Sequence, residues 1–99
     1  MAVYTLFRVT GIKEAWYQLT EKQRQDLLRK NEEMVQSVGG KRIATYRSYT
    51  SGMNVSLASF PSLEAAEKVR EAAFSIEGLA LTRYMTYERD ILYELPPGA

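Results

Sequence analysis

The 99-residue sequence contains no cysteine and no histidine. These absences exclude Cys-ligated clusters, His-ligated haem and the usual zinc sites, which depend on thiolate or imidazole ligands. They also exclude thiol nucleophiles and serine–histidine–aspartate relays. Any acid or base must therefore be a carboxylate, a lysine, a tyrosine or water. We expect neither a metal site nor a cofactor site, and the sequence carries no disulfide evidence for an oxidising compartment.

Long apolar runs and charge of a single sign are lacking too. Serine, glycine, asparagine and proline interrupt the uncharged stretch 50–63, so no segment is predicted to cross a bilayer. Thirteen basic residues nearly balance twelve acidic ones. The two signs are interleaved, without the basic stripe typical of a nucleic-acid-binding protein. Because the first residues also lack the pattern of a secretion signal, we predict a cytoplasmic protein that binds neither membranes nor nucleic acids.

β-branched and aromatic residues predict four strands. The predicted strands are Ala2–Thr10, Lys41–Thr50, Met53–Phe60 and Leu81–Leu95, the last being either one long strand or a strand with a break near Glu88–Asp90. A turn at Ser51-Gly52 makes the second and third strands an antiparallel hairpin. Both alternating sets of side chains in the first strand are largely apolar, which indicates a central strand covered on both faces.

Two amphipathic helices are predicted between these strands. Thr20 and Gln23 have the spacing of a capping box that opens the first helix, and Gly39-Gly40 ends it. Ser62 is the expected N-cap of the second helix. The apolar residues that recur at helical spacing are Leu27, Leu28, Met34, Val35 and Val38 in the first helix, and Leu63, Ala66, Val69 and Ala73 in the second.

The order strand–helix–strand–strand–helix–strand predicts an α+β domain of the ferredoxin-like, split βαββαβ plan. Right-handed crossovers place the first and third strands in the middle of a four-stranded antiparallel sheet, with both helices on one face. We assign residues 1–95 to this single domain and residues 96–99 to a frayed C-terminal tail.

The sheet face away from the helices requires cover. Six tyrosines fall in the predicted strands: Tyr4, Tyr46, Tyr49, Tyr84, Tyr87 and Tyr93. Left exposed, this aromatic face would be a large apolar patch for a small monomer. Two such sheets can bury the patch by packing face to face about a two-fold axis. The alternative is that tyrosine simply suits strands. We expect a homodimer, because a small domain gains most from burying a face against a partner.

The order of elements, the chain length and the long last strand resemble those of the dimeric α+β barrel superfamily. That superfamily includes cofactor-free antibiotic-biosynthesis-type monooxygenases. Locally, Trp16-Tyr17-Gln18-Leu19-Thr20 followed by Arg24 is similar to the opening of the darcynin-like group, and Asp90-Ile91-Leu92 is similar to that group's end. The resemblance implies a dimeric α+β barrel but brings no established activity.

Tyrosine and arginine side chains are the candidate ligand-binding residues, because phenols and guanidinium groups can orient a flat or amphiphilic ligand in an apolar pocket. Both types are also enriched at dimer interfaces. Arg8 either anchors a ligand carboxylate or pairs with Glu88. Trp16 either covers a pocket or fixes the start of the first helix. The candidates are Arg8, Trp16, Tyr17, Tyr46, Arg47, Tyr49, Arg83, Tyr84 and Tyr87, and no catalytic residue is assigned.

Three functions stay open, and the sequence does not decide whether the protein is an enzyme. The first is binding of a small apolar or amphiphilic molecule, fatty-acyl or polyketide-like, in a cavity lined by tyrosine, methionine and leucine with arginine anchors. The second, implied by the superfamily resemblance, is cofactor-independent oxygenation or isomerisation of an aromatic or enolisable substrate. The third is a protein–protein interaction module, which a barrel filled by side chains would favour.

Overall fold

A computed structural model describes residues 2–99, in which a four-stranded antiparallel sheet carries its helices on one face. The elements are β1 (Val3–Ile12), α1 (Glu14–Tyr17), α2 (Glu21–Ser37), β2 (Lys41–Arg47), β3 (Asn54–Phe60), α3 (Leu63–Phe74), a 3₁₀ turn (Leu81–Arg83) and β4 (Met85–Leu92). The strand order is β2-β3-β1-β4, so the first and third strands are central. This arrangement confirms the predicted ferredoxin-like α+β fold.

Side-chain caps set where the two long helices begin, as the sequence predicts. At the start of α2, the Thr20 hydroxyl accepts from the Gln23 N–H at 3.1 Å, and the Gln23 side chain accepts from the Thr20 N–H at 2.9 Å. At the start of α3, the Ser62 hydroxyl accepts from the Ala65 N–H at 3.1 Å. Gly39, with a φ of 79°, follows the end of α2 in the left-handed conformation that favours glycine.

The core lies between the sheet and the two long helices. Its buried residues are Val35 on α2, Ala58 and Phe60 on β3, and Ala66 and Val69 on α3. The alanines bring α3 close to the sheet because they present no bulk beyond Cβ.

Three aromatic rings pack together nearer β4. The ring centroid of Phe7 lies 5.0 Å from that of Tyr87 and 5.5 Å from that of Phe74, and the Phe74 and Tyr87 centroids are 4.2 Å apart. Such stacked pairs add to the stability that their buried area provides. This ring cluster therefore fixes α3 over the β1–β4 side of the sheet.

The observed strand boundaries differ from the predicted ones, and the largest differences are in β2 and β4. β2 ends at Arg47, because residues 48–53 form a longer hairpin loop in which the Ser48 N–H donates to the Met53 carbonyl at 2.9 Å. β4 starts only at Met85, because Ala80, with a φ of 52°, turns the chain into the 3₁₀ turn. Tyr49, Tyr84 and Tyr93 consequently lie outside the strands.

Of the two alternatives for the last strand, the structure has the unbroken one near Glu88–Asp90. β4 pairs with β1 without interruption there, and the irregularity lies in β1 between Val9 and Gly11. The division into a domain of 1–95 and a frayed tail of 96–99 stays a prediction, and its first residue lies outside the described residues. Within residues 2–99, no helix has both the length and the apolar character that crossing a membrane requires.

Candidate functional site

A cavity of about 690 Å³ lies between the helix-facing side of the sheet and the helices above it. Thr5, Phe7 and Ser56 form part of its floor, and Leu28 on α2 and Ala66 on α3 form part of its roof. The volume is within the range of pockets that bury most of a drug-sized molecule. The site is therefore large enough for a small organic ligand.

The strand register shows how the floor of the cavity is arranged. Thr45 on β2 pairs with Ser56 on β3, Ser56 pairs with Phe7 on β1, and Phe7 pairs with Arg89 on β4. All four residues line the cavity. Adjacent strands are about 4.8 Å apart, so this row extends roughly 14 Å across the sheet. The cavity is thus long enough for a fused-ring or acyl body lying across the strands.

Ser56 is the small side chain that leaves room in the middle of the floor. It is partly exposed, whereas Ala58, Ala66 and Ala73 are buried where α3 packs closely on the sheet. In the sequence these residues occupy ordinary strand and helix positions. The cavity can be recognised only once the sheet and the helices are known to face each other at these residues. The sequence therefore gives no direct signal of the cavity.

Arginine side chains line both edges of the cavity. At the β2 edge, the Arg42 Nε lies 2.9 Å from the Glu32 carboxylate of α2. Arg47 on the same strand donates from Nε to the neutral Asn54 side-chain oxygen at 3.3 Å. These contacts place one balanced ion pair and one guanidinium bonded to a neutral amide at this edge.

At the β4 edge, two arginines share one carboxylate. Arg70 of α3 lies 3.1 Å from one oxygen of Glu67, and Arg89 of β4 contacts the other oxygen. The hydrogen bond from Arg89 is the main cause that lowers the pKa of Glu67 below its ordinary value, and the bond to Glu67 raises the pKa of Arg70. Glu67 is therefore ionised at neutral pH. We call Arg70, Glu67 and Arg89 the Arg–Glu–Arg cluster.

Trp16 and Tyr17 of α1 form one wall of the cavity. Arg24 of α2 holds this short helix, because its Nε donates to the Trp16 carbonyl at 3.1 Å and its Nη2 to the Tyr17 carbonyl at 3.2 Å. Its guanidinium carbon also lies 5.8 Å from the centre of the Trp16 ring, within cation–π range. The Trp16 ring meets Tyr84 edge to face, with centroids 6.0 Å apart.

The structure brings some predicted site residues to the cavity and separates the rest. Trp16, Tyr17 and Arg47 line it, Tyr84 supports Trp16, and Tyr87 belongs to the aromatic cluster. Tyr49 and Arg83 are exposed in the hairpin loop and the 3₁₀ turn. Arg8 and Tyr46 lie on the opposite face of the sheet. Which of these residues bind a ligand stays a prediction.

That opposite face, the outer face, carries a group of apolar side chains that are partly or largely exposed: Tyr4, Leu6, Tyr46, Leu57 and Leu92. Leu6 pairs with Leu57, and Tyr4 pairs with Leu92. Tyr46 is 61% exposed. Arg8 also lies on this face, 3.5 Å from Glu88, and this is the pairing that the sequence offered as the alternative to a ligand anchor.

Sequence reasoning missed Arg42, Arg70 and Arg89 as cavity residues. Arg70 follows the buried Ala66 by four residues, which places both on one side of α3. Arg89 shares a strand face with Tyr87, since side chains alternate along β4. The spacing on α3 and the alternation along β4 can both be read from the sequence. Only the observed boundaries of the strands and helices show that these side chains lie at the cavity. Among residues 2–99, no cluster of acidic side chains suited to a metal ion is found.

No protein-family profile matches the sequence, and no curated protein is significantly similar to it. The fold, in contrast, is similar to those of solved structures. Rv0793 from Mycobacterium tuberculosis is 16% identical with a TM-score of 0.60, and the likeness covers 100% of both chains. A Nitrosomonas europaea protein, provisionally named an antibiotic biosynthesis monooxygenase, is 15% identical with a TM-score of 0.61, covering 99% of this chain and 94% of its own.

SnoaB, a cofactor-independent oxygenase from Streptomyces nogalater, was solved as a variant and has a TM-score of 0.58 to this chain. It is 11% identical, and the likeness covers 98% of this chain and 95% of SnoaB. These similarities confirm the predicted ferredoxin-like α+β fold, which this chain shares with the three solved proteins. At such low identities they establish the fold alone. The closer resemblance to darcynins stays a prediction from the sequence.

Proposed function

We propose that this protein binds a small amphiphilic molecule, fatty-acyl or polyketide-like, in the cavity between its sheet and its helices. The cavity itself is the observation that carries the proposal, since about 690 Å³ of space lies between the sheet and the helices. Phe7, Leu28 and Trp16 supply apolar walls, and arginines supply polar contacts at the edges. A ligand with an apolar body and a polar group matches this distribution.

We further propose that two chains pair through the outer faces of their sheets. Leu6 and Leu57 lie side by side near the centre of this face, with Tyr46 on the neighbouring strand. Antiparallel sheets commonly bury such faces against a second sheet. The pairing leaves the cavity of each chain on the helix side, away from the interface. A cytoplasmic location stays a prediction from the sequence.

Native mass spectrometry of freshly purified protein, followed by denaturing extraction of any bound compound, tests both proposals. We expect a two-chain mass that carries a discrete small-molecule increment. A dimer without an increment, with no compound extracted and none bound from a panel of fatty acids and aromatic acids, would contradict ligand binding. A monomer under the same conditions would contradict the pairing of the outer faces.

A second candidate function is cofactor-independent oxygenation or isomerisation of an aromatic or enolisable substrate. It draws on the shared fold with SnoaB, whose name describes such an oxygenase. The carboxylate in the cavity wall, Glu32, is held in an ion pair with Arg42, which disfavours its use as a base. Oxygen uptake with anthrone or quinol substrates, measured on ligand-free protein, would favour this candidate over simple binding.

The third candidate, a protein–protein interaction module, is the least supported. A barrel filled by side chains would favour it, whereas an open cavity lies between the sheet and the helices of this chain. It also offers no reason for four arginines along the cavity walls.

A further inference from the structure

The cavity carries more positive than negative charge. Four arginines line it, Arg42, Arg47, Arg70 and Arg89, and Glu32 lines it as well. Glu32 neutralises Arg42, while Glu67 contacts both Arg70 and Arg89. Within residues 2–99, these four guanidinium groups thus contact only two carboxylates. An excess of positive charge beside apolar walls favours the binding of an anion there.

The Arg–Glu–Arg cluster is the less exposed of the two places where positive charge is in excess. The Arg89 side chain is 17% exposed, and those of Arg70 and Glu67 are 38% and 39% exposed. Phe7 lies beside Arg89 on the cavity floor. Arg47, at the opposite edge, is exposed and bonds a neutral amide. Because water screens an anion less at a partly buried site, the cluster offers the stronger attraction.

The cluster also retains hydrogen-bonding capacity. Arg70 directs Nε and Nη2 towards one oxygen of Glu67, and Arg89 directs Nη2 towards the other. Each guanidinium carries more N–H donors than these contacts engage. The planar fork of an arginine suits the oxygens of a carboxylate or a sulfonate. A second anion can therefore bind while Glu67 stays in place.

We propose that the ligand of this cavity is an organic anion whose acidic group binds at the Arg–Glu–Arg cluster, with its apolar body lying across Phe7 and Ser56. The inference rests on the proposed binding function and narrows its ligand to amphiphilic acids. The row from Arg89 to Thr45, roughly 14 Å long, sets the length available to the body of the ligand.

Two fluorescent probes of nearly the same shape test the proposal. 8-Anilinonaphthalene-1-sulfonate carries an anionic group, and N-phenyl-1-naphthylamine lacks it. Each is titrated into the wild type and into Arg70→Gln, in which Glu67 keeps Arg89 as its partner. That remaining pair leaves no carboxylate without a cation, so the variant is expected to fold. Arg89→Gln is the second variant, with Arg70 as the remaining partner.

The control is Arg47→Gln, which removes the same charge from the opposite edge of the cavity. We expect Arg70→Gln and Arg89→Gln to weaken sulfonate binding at least about tenfold, with less than about threefold change for Arg47→Gln. A tenfold loss corresponds to about 1.4 kcal/mol, the size of one charge-assisted hydrogen bond. Binding of the neutral probe should stay the same in all three variants.

Three results would overturn the proposal. If the two probes weaken together in Arg70→Gln, the cluster supports the structure rather than an acidic group. If the sulfonate binds all variants equally, or if Arg47→Gln has the largest effect, the acidic group does not bind at the cluster. In each of these cases the binding function itself stands, provided the wild type binds the neutral probe. If the wild type binds neither probe, the proposed function fails together with the inference.

Discussion

Replacing Ser56 with leucine should block the middle of the cavity floor without removing any of the cavity's arginines. Ser56 lies in the middle of the floor, between Thr45 and Phe7. A fully buried leucine side chain gains roughly 1.5–3 kcal/mol over an exposed one. Since the cavity is open to solvent on part of its surface, we expect about half of this, a stabilisation of about 1 kcal/mol. For a domain of this size, that is a rise in Tm of roughly 4–8 °C.

The sign of the stability change tests whether the space exists. If side chains already filled it, the extra carbons would overpack the core and cost roughly 1–3 kcal/mol. The matched control is Ser59→Leu, the same substitution on the same strand, three residues away and on the outer face, beside Tyr4. The free energy of unfolding is measured by urea denaturation, and binding by titration with N-phenyl-1-naphthylamine.

We expect Ser56→Leu to bind the neutral probe at least about tenfold more weakly than the wild type, and Ser59→Leu to bind it unchanged. The reasoning is refuted if Ser56→Leu lowers the stability by 1 kcal/mol or more on this scale. It is equally refuted if Ser56→Leu keeps full affinity for the probe. A loss of binding in both variants would indicate that the probe binds on the outer face.

Three further predictions concern α1, the charge cluster and the interface. Arg24→Gln removes two hydrogen bonds to α1 carbonyls. The fluorescence emission of the single tryptophan should therefore shift to longer wavelength, and acrylamide should quench it more. Lys22→Gln, the control, should change neither property, and an unchanged spectrum in Arg24→Gln would contradict the anchoring role of Arg24. The pKa of Glu67 is lower in the folded protein than its ordinary value. Glu67 therefore stabilises the folded state fully when the pH is above that ordinary value, and this stabilisation is lost as the pH falls. Because the carboxylate is partly exposed, Glu67→Gln should lower the free energy of unfolding by about 1 kcal/mol or less at pH 7. Urea denaturation should show that this loss becomes progressively smaller below about pH 4.5. A loss that does not depend on pH would contradict the prediction. Tyr46→Asp should weaken dimerisation at least about tenfold in sedimentation experiments. Tyr49→Asp, the control at a fully exposed loop tyrosine, should leave dimerisation unchanged. Equal effects of the two substitutions would contradict pairing through the outer face.

Local signals in the sequence were sufficient for most of the fold. The capping box at Thr20 and Gln23 and the N-cap at Ser62 mark the helix starts because each depends only on residues three positions apart. The apolar character of both sides of β1 placed it in the middle of the sheet, where the structure has it. These features follow from short-range chemistry, which a sequence displays directly.

Other features depend on contacts between distant segments. The hairpin loop 48–53 is closed by Ser48 and Met53, and the Ser-Gly pair within it suggested a shorter turn. Arg70 and Arg89 share Glu67 only because α3 packs over β4, and neither spacing nor residue type shows this in advance. The cavity likewise depends on how residues of the sheet and of the helices face each other.

A crystal structure of the protein with N-phenyl-1-naphthylamine tests the central claim most directly. The proposed function predicts electron density for the probe between Phe7 and Ser56 on the sheet and Ala66 and Ala73 on α3, in both chains of a dimer. Density for the probe against Tyr46 on the outer face, or a cavity occupied by the protein's own side chains, would contradict it.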